Sequence, residues 1–168
     1  MAVAETKKTK YDRQLRIWGE QGQSALENAN ICLLNCGPTG SEALKNLVLG
    51  GIGSITVDGS KVEIYDLGNN FLLDEDSLGQ SKAKCVCSFL QELNDAVKAK
   101  FVEEAPEHLI EKNPSFFAEF PLVIATQLPR LHSYTTGLKQ SSVPVWMTRS
   151  MLMLNTSLVM FDHMHHAE

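Results

Sequence analysis

The 168-residue chain lacks long apolar runs and has no excess of positive charge. No stretch approaches the roughly 18 consecutive apolar residues that a membrane-spanning helix requires. Fifteen Lys and Arg against twenty Asp and Glu give a net charge of −5, which is the wrong sign for a protein whose main partner is a phosphate backbone. We therefore expect neither a membrane nor a nucleic acid among its partners.

The chain also lacks the cysteine spacing of a metal site or a disulfide framework, because no Cys-x-x-Cys pair is present. The first ten residues lack the apolar run of a secretory signal. Both absences favour a reducing, intracellular compartment, in which the thiols serve as small core residues. The four thiols are those of Cys32, Cys36, Cys85 and Cys87.

Histidines are concentrated at the end of the chain, where His163, His165 and His166 have only Asp162 as a possible acidic partner. A metal site needs more ligands than this, so the sequence predicts none. Ten of the eleven glycines lie at or before Gly79, whereas five of the six methionines lie within residues 147–164. This change of composition indicates that the last forty residues or so differ from the rest. Together with the extent of the family resemblance described below, it implies a basic arm (residues 1–9), a domain (10–128) and a divergent tail (129–168).

Strand and helix patterns alternate along the predicted domain. Apolar runs typical of buried strands cover residues 30–35, 54–58, 99–104 and 121–126, with a further candidate at 143–147. Helical spacing covers residues 11–28, where glycines divide the segment into two short helices, and it also covers residues 81–94. Another helix is expected from Ser41 to just before Gly50. Such alternation predicts an α/β fold with a Rossmann-like, doubly wound, mainly parallel sheet that binds ligands at the carboxyl ends of its strands.

A glycine loop joins the first strand to the first crossover helix. The dinucleotide fingerprint G-x-G-x-x-G has glycines for the turn, for the approach of phosphate and for helix packing. Gly37 and Gly40 supply the second and third, while Asn35 replaces the first. Asp58 lies 21 residues beyond Gly37, about where a ribose-binding acid belongs. These residues leave two interpretations open: a nucleotide site, or a tight turn without a ligand in which Asp58 is an ordinary turn acid.

Eight further motifs follow one another along residues 11–128. They are YDRQLRIWG (11–19), KNLVL (45–49), GIGS (51–54), LGNNF (67–71), GQSKA (79–83), LQELN (90–94), NPSFF (113–117) and ATQL (125–128). With the glycine loop, they resemble the ThiF/MoeB-type adenylation fold of ubiquitin-like-modifier-activating enzymes. Within that group the chain is most similar to regulatory subunits of neddylation (RUB/NEDD-type) activating enzymes, especially the plant forms. The resemblance covers residues 10–128 and implies the N-terminal part of the adenylation fold.

The resemblance implies an inactive adenylation site. In active members an Arg-Gln pair and a following lysine meet the phosphates of ATP, and an aspartate holds magnesium. Here Asn69 and Asn70 stand at the Arg-Gln positions, Gln127 replaces the aspartate, and Lys82 remains. The implied subunit binds no cofactor itself, because ATP and magnesium belong to its catalytic partner. The vestigial site, which we call the glycine-loop pocket, comprises Asn35, Gly37, Gly40, Asp58, Lys82 and Gln127.

The resemblance gives a chemical role to Arg13. In this family an arginine of the N-terminal arm enters the partner's ATP site and meets the phosphates in trans, as an arginine finger does. The implied partners are the catalytic subunit of the neddylation activating enzyme and its NEDD/RUB modifier, and the implied location is cytoplasmic and nuclear. Without the resemblance, Arg13 is an ordinary solvated side chain on a helix.

Two other functions compete with a regulatory subunit. A small Rossmann-type enzyme would bind a dinucleotide through Gly37, Gly40 and Asp58, although a catalytic set is missing. An inactive truncated isoform would account for the change of composition after residue 128.

Overall fold

A computed structural model describes residues 10–126 and the backbone of residues 145–148. Five strands form one sheet in the order β3-β2-β1-β4-β5, and every neighbouring pair is parallel. The strands are β1 (Asn30–Leu34), β2 (Gly53–Val57), β3 (Ala99–Val102), β4 (Leu122–Thr126) and β5 (Val145–Thr148). The strand candidate at 143–147 is thus confirmed from residue 145 onward, within the segment predicted to be a divergent tail.

Among the described residues, one helix precedes β1, and four helices and two short 3₁₀ segments lie between the strands. The helices are α1 (Asp12–Asn28), α2 (Pro38–Leu49), α3 (Ile64–Leu67), α4 (Lys82–Leu93) and α5 (Pro106–Lys112). The 3₁₀ segments are Glu75–Ser77 and Pro114–Glu119. Along residues 10–126, no helix is long and apolar enough to cross a membrane.

The structure refines three of these predictions, and several other element ends differ from the predicted ones by one residue. The two helices predicted within residues 11–28 meet at Gly19 (φ 71°, ψ 179°), which interrupts α1, whereas Gly22 lies inside the helix. Helix α2 begins at Pro38 instead of Ser41, because proline at the first helical position has a suitable fixed φ and no N–H to satisfy. Strand β3 ends at Val102, two residues before the predicted end.

The central strands β2, β1 and β4 are mostly buried and contribute to cores on both faces of the sheet, which confirms the predicted doubly wound α/β fold. Leu33 belongs to a core cluster with Val48 of α2 and Leu90 of α4, whereas Leu34 belongs to a second cluster with Leu109 of α5. Consecutive side chains of a strand point to opposite faces, so adjacent leucines supply both cores. This is why β1 is a continuous apolar run instead of an alternating one.

The cysteines are core residues, as the sequence predicts. All four are free, three are buried and Cys85 is half-buried. Burial raises the pKa of the Cys32 and Cys87 thiols, and at Cys36 burial and then the charge of Asp58 do the same. These thiols therefore remain protonated and behave as small apolar groups.

Helix α1 packs at the end of the sheet opposite the glycine loop. The Asn94 amide after α4 donates to the Tyr11 hydroxyl at 2.9 Å and to the Val48 carbonyl at 2.7 Å. The Gln23 amide donates to the carbonyl of Gly50, the residue that ends α2. Because α2 starts at the glycine loop and its 12 residues rise about 18 Å, these contacts place α1 at the far end of that helix.

Candidate functional site

The candidate site lies where β1 and β4 end side by side. The chain adds β2 and β3 on one side of β1 and then crosses to β4 on the other side. A crevice beyond the carboxyl ends of such strands is the usual ligand site of an open α/β sheet. Asn35 follows β1 here and Thr126 ends β4, and the Thr126 hydroxyl donates to the Asn35 carbonyl at 3.2 Å.

Asn35 preserves the turn that the first glycine of the fingerprint would make. Its φ is +70°, the left-handed region in which asparagine is enriched among residues other than glycine. Its N–H donates to the Val57 carbonyl at 3.0 Å and thereby links the ends of β1 and β2. The chain therefore keeps the shape of the glycine loop at this position.

The two glycines of the loop serve different purposes. A Cβ at Gly40 would lie 2.6 Å from the Thr126 hydroxyl and 2.8 Å from a methyl group of Leu33, so only glycine lets α2 approach the sheet this closely. Gly37 is the buried N-cap of α2 and has φ −66°, a backbone conformation that any residue can adopt. Gly40 is thus required for packing, whereas the conformation at Gly37 does not require glycine.

Asp58 is buried and fully engaged in holding the loops. One carboxylate oxygen accepts a hydrogen bond from the Cys36 N–H at 2.8 Å. The other accepts from the Ser60 N–H at 2.7 Å and from the Ser60 hydroxyl. A ribose hydroxyl would have to compete with these three bonds, so the geometry favours a turn acid that joins two loops.

The residues at the Arg-Gln positions carry no charge and pack into the fold. The Asn70 amide is buried and donates to the Cys36 carbonyl at 3.0 Å and to the Ser41 hydroxyl at 3.1 Å. The side-chain oxygen of Asn69 is buried and has no hydrogen-bond partner within the described residues. Asn70 thus ties the segment after α3 to the glycine loop.

Lys82 has an internal partner that the sequence did not indicate. Its ammonium lies 3.0 Å from one carboxylate oxygen of Asp66, and the two side chains are only 7% and 4% exposed. Burial by itself would lower the pKa of Lys82, but the hydrogen bond and charge of Asp66 outweigh it, so this pKa lies above its ordinary value. The only local signal of Asp66 is its spacing from Glu63, with which it forms a capping box at the start of α3.

A second lysine near this edge is also paired. Lys45 lies 2.6 Å from a carboxylate oxygen of Glu42, one turn earlier in α2, and 4.5 Å from the centre of the Phe71 ring. Neither Lys45 nor Lys82 is thus available to a phosphate without breaking an existing contact. A phosphate site needs positive charge that is free to meet the ligand, whereas both of these lysines already have carboxylate partners.

Gln127 of the glycine-loop pocket lies outside the described part of the chain. The same holds for His163, His165, His166 and Asp162, from which the sequence predicts no metal site. Among the residues that the structure does describe, no group of three or more His, Cys, Asp or Glu side chains is arranged to hold a metal ion.

Arg13 is exposed on α1, away from the glycine loop. It makes no ion pair within residues 10–126, whereas Arg16, one turn later, lies 2.8 Å from a carboxylate oxygen of Asp12. Because α1 packs at the end of α2 that lies about 18 Å along that helix from the loop, Arg13 lies far from this chain's own glycine-loop pocket. The structure leaves its guanidinium accessible to another molecule.

A parallel sheet whose first strand enters a glycine loop and a helix defines the class of Rossmann-like nucleotide-binding folds. Residues 11–127 match the ThiF family, and the chain belongs to that family. The chain is 80% identical over 122 residues to the NEDD8-activating enzyme E1 regulatory subunit AXL of Arabidopsis thaliana, covering 72% of this chain and 23% of that protein. It is 50% identical over 151 residues to the NEDD8-activating enzyme E1 regulatory subunit of Xenopus laevis, covering 88% and 28%.

Solved structures of low sequence identity share the fold. The E. coli tRNA N6-threonylcarbamoyladenosine dehydratase in complex with AMP has a TM-score of 0.73 at 18% identity, over 83% of this chain and 58% of that one. E. coli MccB has a TM-score of 0.69 at 19% identity, over 83% and 42%. The chain spans less than a third of the length of the plant and frog relatives, so the comparison with them concerns only a part of those proteins.

Proposed function

We propose that this chain acts as a non-catalytic, regulatory part of an activating enzyme for a NEDD8-type ubiquitin-like modifier. Its partners are the catalytic subunit of that enzyme and the modifier, which the catalytic subunit adenylates with ATP. The similarity to proteins named NEDD8-activating enzyme E1 regulatory subunit supports the assignment. The position of Arg13, accessible and remote from the chain's own loop, carries the mechanism.

In this mechanism Arg13 enters the catalytic subunit's ATP site. A guanidinium is permanently charged and offers planar, paired donors, which suit phosphate oxygens. Such a donor stabilises the charge that develops as the modifier's carboxylate attacks the α-phosphorus and pyrophosphate leaves. ATP and magnesium are held by the catalytic subunit in this proposal, and the glycine-loop pocket binds neither.

The dinucleotide-binding alternative gains no support from the geometry. It requires Asp58 to receive ribose hydroxyl groups, but both carboxylate oxygens already accept hydrogen bonds from Cys36 and Ser60. It also requires space beside the loop, where Asn70 is hydrogen-bonded to the Cys36 carbonyl. We therefore favour the regulatory role.

Arg13→Ala tests the proposal in a complex reconstituted from this chain and the catalytic subunit. Modifier-dependent ATP–pyrophosphate exchange should fall by about 100-fold or more, because an arginine finger contributes at least that much to phosphoryl chemistry. Arg16→Ala is the matched control, since Arg16 is also exposed but is paired with Asp12, and it should leave exchange near the wild-type rate. Unchanged exchange with Arg13→Ala, in a complex that remains intact on size-exclusion chromatography, would contradict the proposal.

A further inference from the structure

The buried pair of Lys82 and Asp66 lies beside the glycine loop. The backbone N–H of Lys82 donates to the Ser60 carbonyl at 3.1 Å, and Ser60 in turn donates to Asp58. The charge of Lys82 also acts on the Cys36 thiol, whose pKa it lowers against the larger, raising effects of burial and Asp58. The start of α4 therefore packs against the segment that follows β2, and the Lys82 ammonium lies close enough to the glycine loop for its charge to act on Cys36.

Asp66 is held against this lysine by contacts on both sides. Its second carboxylate oxygen accepts from the Glu63 N–H at 2.9 Å, and its carbonyl accepts from the Asn70 N–H at 2.8 Å. The Asn70 side chain then reaches the Cys36 carbonyl in the glycine loop. The carboxylate thus satisfies one ammonium and one backbone N–H, two kinds of donor that commonly hold a phosphate group in proteins.

We propose that Asp66 acts as a built-in anion that occupies the phosphate subsite beside Lys82 and so excludes phosphate-bearing ligands from this chain's own glycine-loop pocket. A phosphate entering the subsite would have to displace the carboxylate or lie beside it. Both are costly in a buried site, because like charges repel there and a displaced carboxylate loses its partner. This inference rests on the proposed inactivity of the pocket and gives it a physical cause.

Asp66→Asn tests the inference, because asparagine has nearly the same shape but no charge. The variant leaves a buried ammonium without a counter-charge, so its melting temperature in chloride buffer should fall below that of the wild type. Pyrophosphate should then restore stability beyond the effect of chloride at matched ionic strength. We expect the variant to bind pyrophosphate at least about tenfold more tightly than the wild type in equilibrium dialysis.

The double variant Asp66→Asn, Lys82→Met is the matched control. It removes both charges, so pyrophosphate should stabilise it no more than chloride does. Adenosine and ATP distinguish binding through the phosphates from binding through the nucleoside. ATP should stabilise Asp66→Asn as pyrophosphate does, and adenosine should have no effect. If Asp66→Asn does not fold in chloride, refolding in pyrophosphate is measured instead; recovery supports the inference, and failure in both buffers overturns it.

The outcomes separate the inference from the proposed function. If the wild-type chain itself binds pyrophosphate as tightly as Asp66→Asn does, both the built-in anion and the inactivity of the pocket are wrong. If neither protein binds, the pocket is inactive for another reason, and only the role of Asp66 is overturned. Neither result bears on Arg13, which lies at the other end of the chain's fold and is tested by exchange in the complex.

Discussion

At the residue scale, Asn35 shows that a departure from a motif need not change the backbone. The glycines of such a fingerprint meet two requirements, a positive φ at one position and room for close packing at another. Asn35 meets the first requirement with a φ of +70°. Gly40 meets the second, because a Cβ would collide with Leu33 and Thr126. The turn of the loop is therefore preserved, while the charges around it differ from those of a phosphate site.

Thr56 offers a test of how buried polar groups affect this fold. The residue is fully buried in β2, and its hydroxyl has no hydrogen-bond partner within the described residues. Thr56→Val should raise the free energy of unfolding by about 1 kcal/mol, because it removes an unsatisfied buried polar group and keeps the shape. Urea unfolding measures the change, and the m-value should remain constant.

Thr126→Val is the matched control for this prediction. Thr126 is also a buried strand threonine, but its hydroxyl donates to the Asn35 carbonyl. Its replacement should lower the free energy of unfolding by about 1 kcal/mol, since the bond is lost and the carbonyl loses a donor. Shifts of the same sign for both variants would show that hydrogen bonding does not decide the outcome.

The chemical partners of single residues were the least predictable feature. The position of Asp58 follows from its distance to the glycine loop, yet its bonds to Cys36 and Ser60 appear only when β1 and β2 are placed side by side. Asp66 was not identified at all, because its partner Lys82 lies 16 residues away and both charges become significant only through burial. Sequence spacing does not report such burial.

At the scale of elements, hydrophobic periodicity predicted the strands and the main helices well. Apolar runs identify β1 and β4 because strands covered on both faces need no alternation. The boundaries were less predictable, since the start of α2 depends on Pro38 and the end of β3 on pairing with β2. The docking of α1 was not predicted, because its polar contacts come from segments distant in sequence.

Asn94 joins the start of α1 to the ends of α2 and α4. Its side chain is buried and bonds the Tyr11 hydroxyl, the Val48 carbonyl and the Lys10 ammonium. Asn94→Ala should release α1, because several buried groups lose their partner at once. Amide hydrogen exchange within residues 12–28 should become at least about tenfold faster, which corresponds to a loss of about 1.4 kcal/mol.

Asn28→Ala provides the control for this experiment. Asn28 is exposed, and its amide bonds only Ser24 of the same helix. Exchange within α1 should then remain close to that of the wild-type chain. If Asn94→Ala also leaves α1 protected, the helix must be held by its apolar contacts, and the hydrogen bonds would be secondary.

At the scale of the whole molecule, the two candidate functional features occupy opposite ends of one fold. The glycine-loop pocket lies at the carboxyl ends of the strands, and Arg13 lies on α1 at the other end. This separation explains why a chain can retain the shape of a nucleotide-binding loop while its proposed contribution to catalysis lies elsewhere. The net charge of −5 does not reveal this separation, because a total charge carries no information about the position of Arg13.

The separation of the two ends predicts that a destabilising substitution at one end will not change the cost of a substitution at the other. Gly40 lies in the first turn of α2, and Asn94 bonds the Val48 carbonyl eight residues later, about 12 Å along the helix.

Gly40→Ala should lower the free energy of unfolding by about 1–3 kcal/mol, because the added Cβ overlaps Thr126 and Leu33. The double variant Gly40→Ala, Asn94→Ala should lose the sum of the two single effects within about 0.5 kcal/mol in urea unfolding. A coupling above about 1 kcal/mol would instead mean that α2 transmits strain along its length, and the loop could then sense the docking of α1.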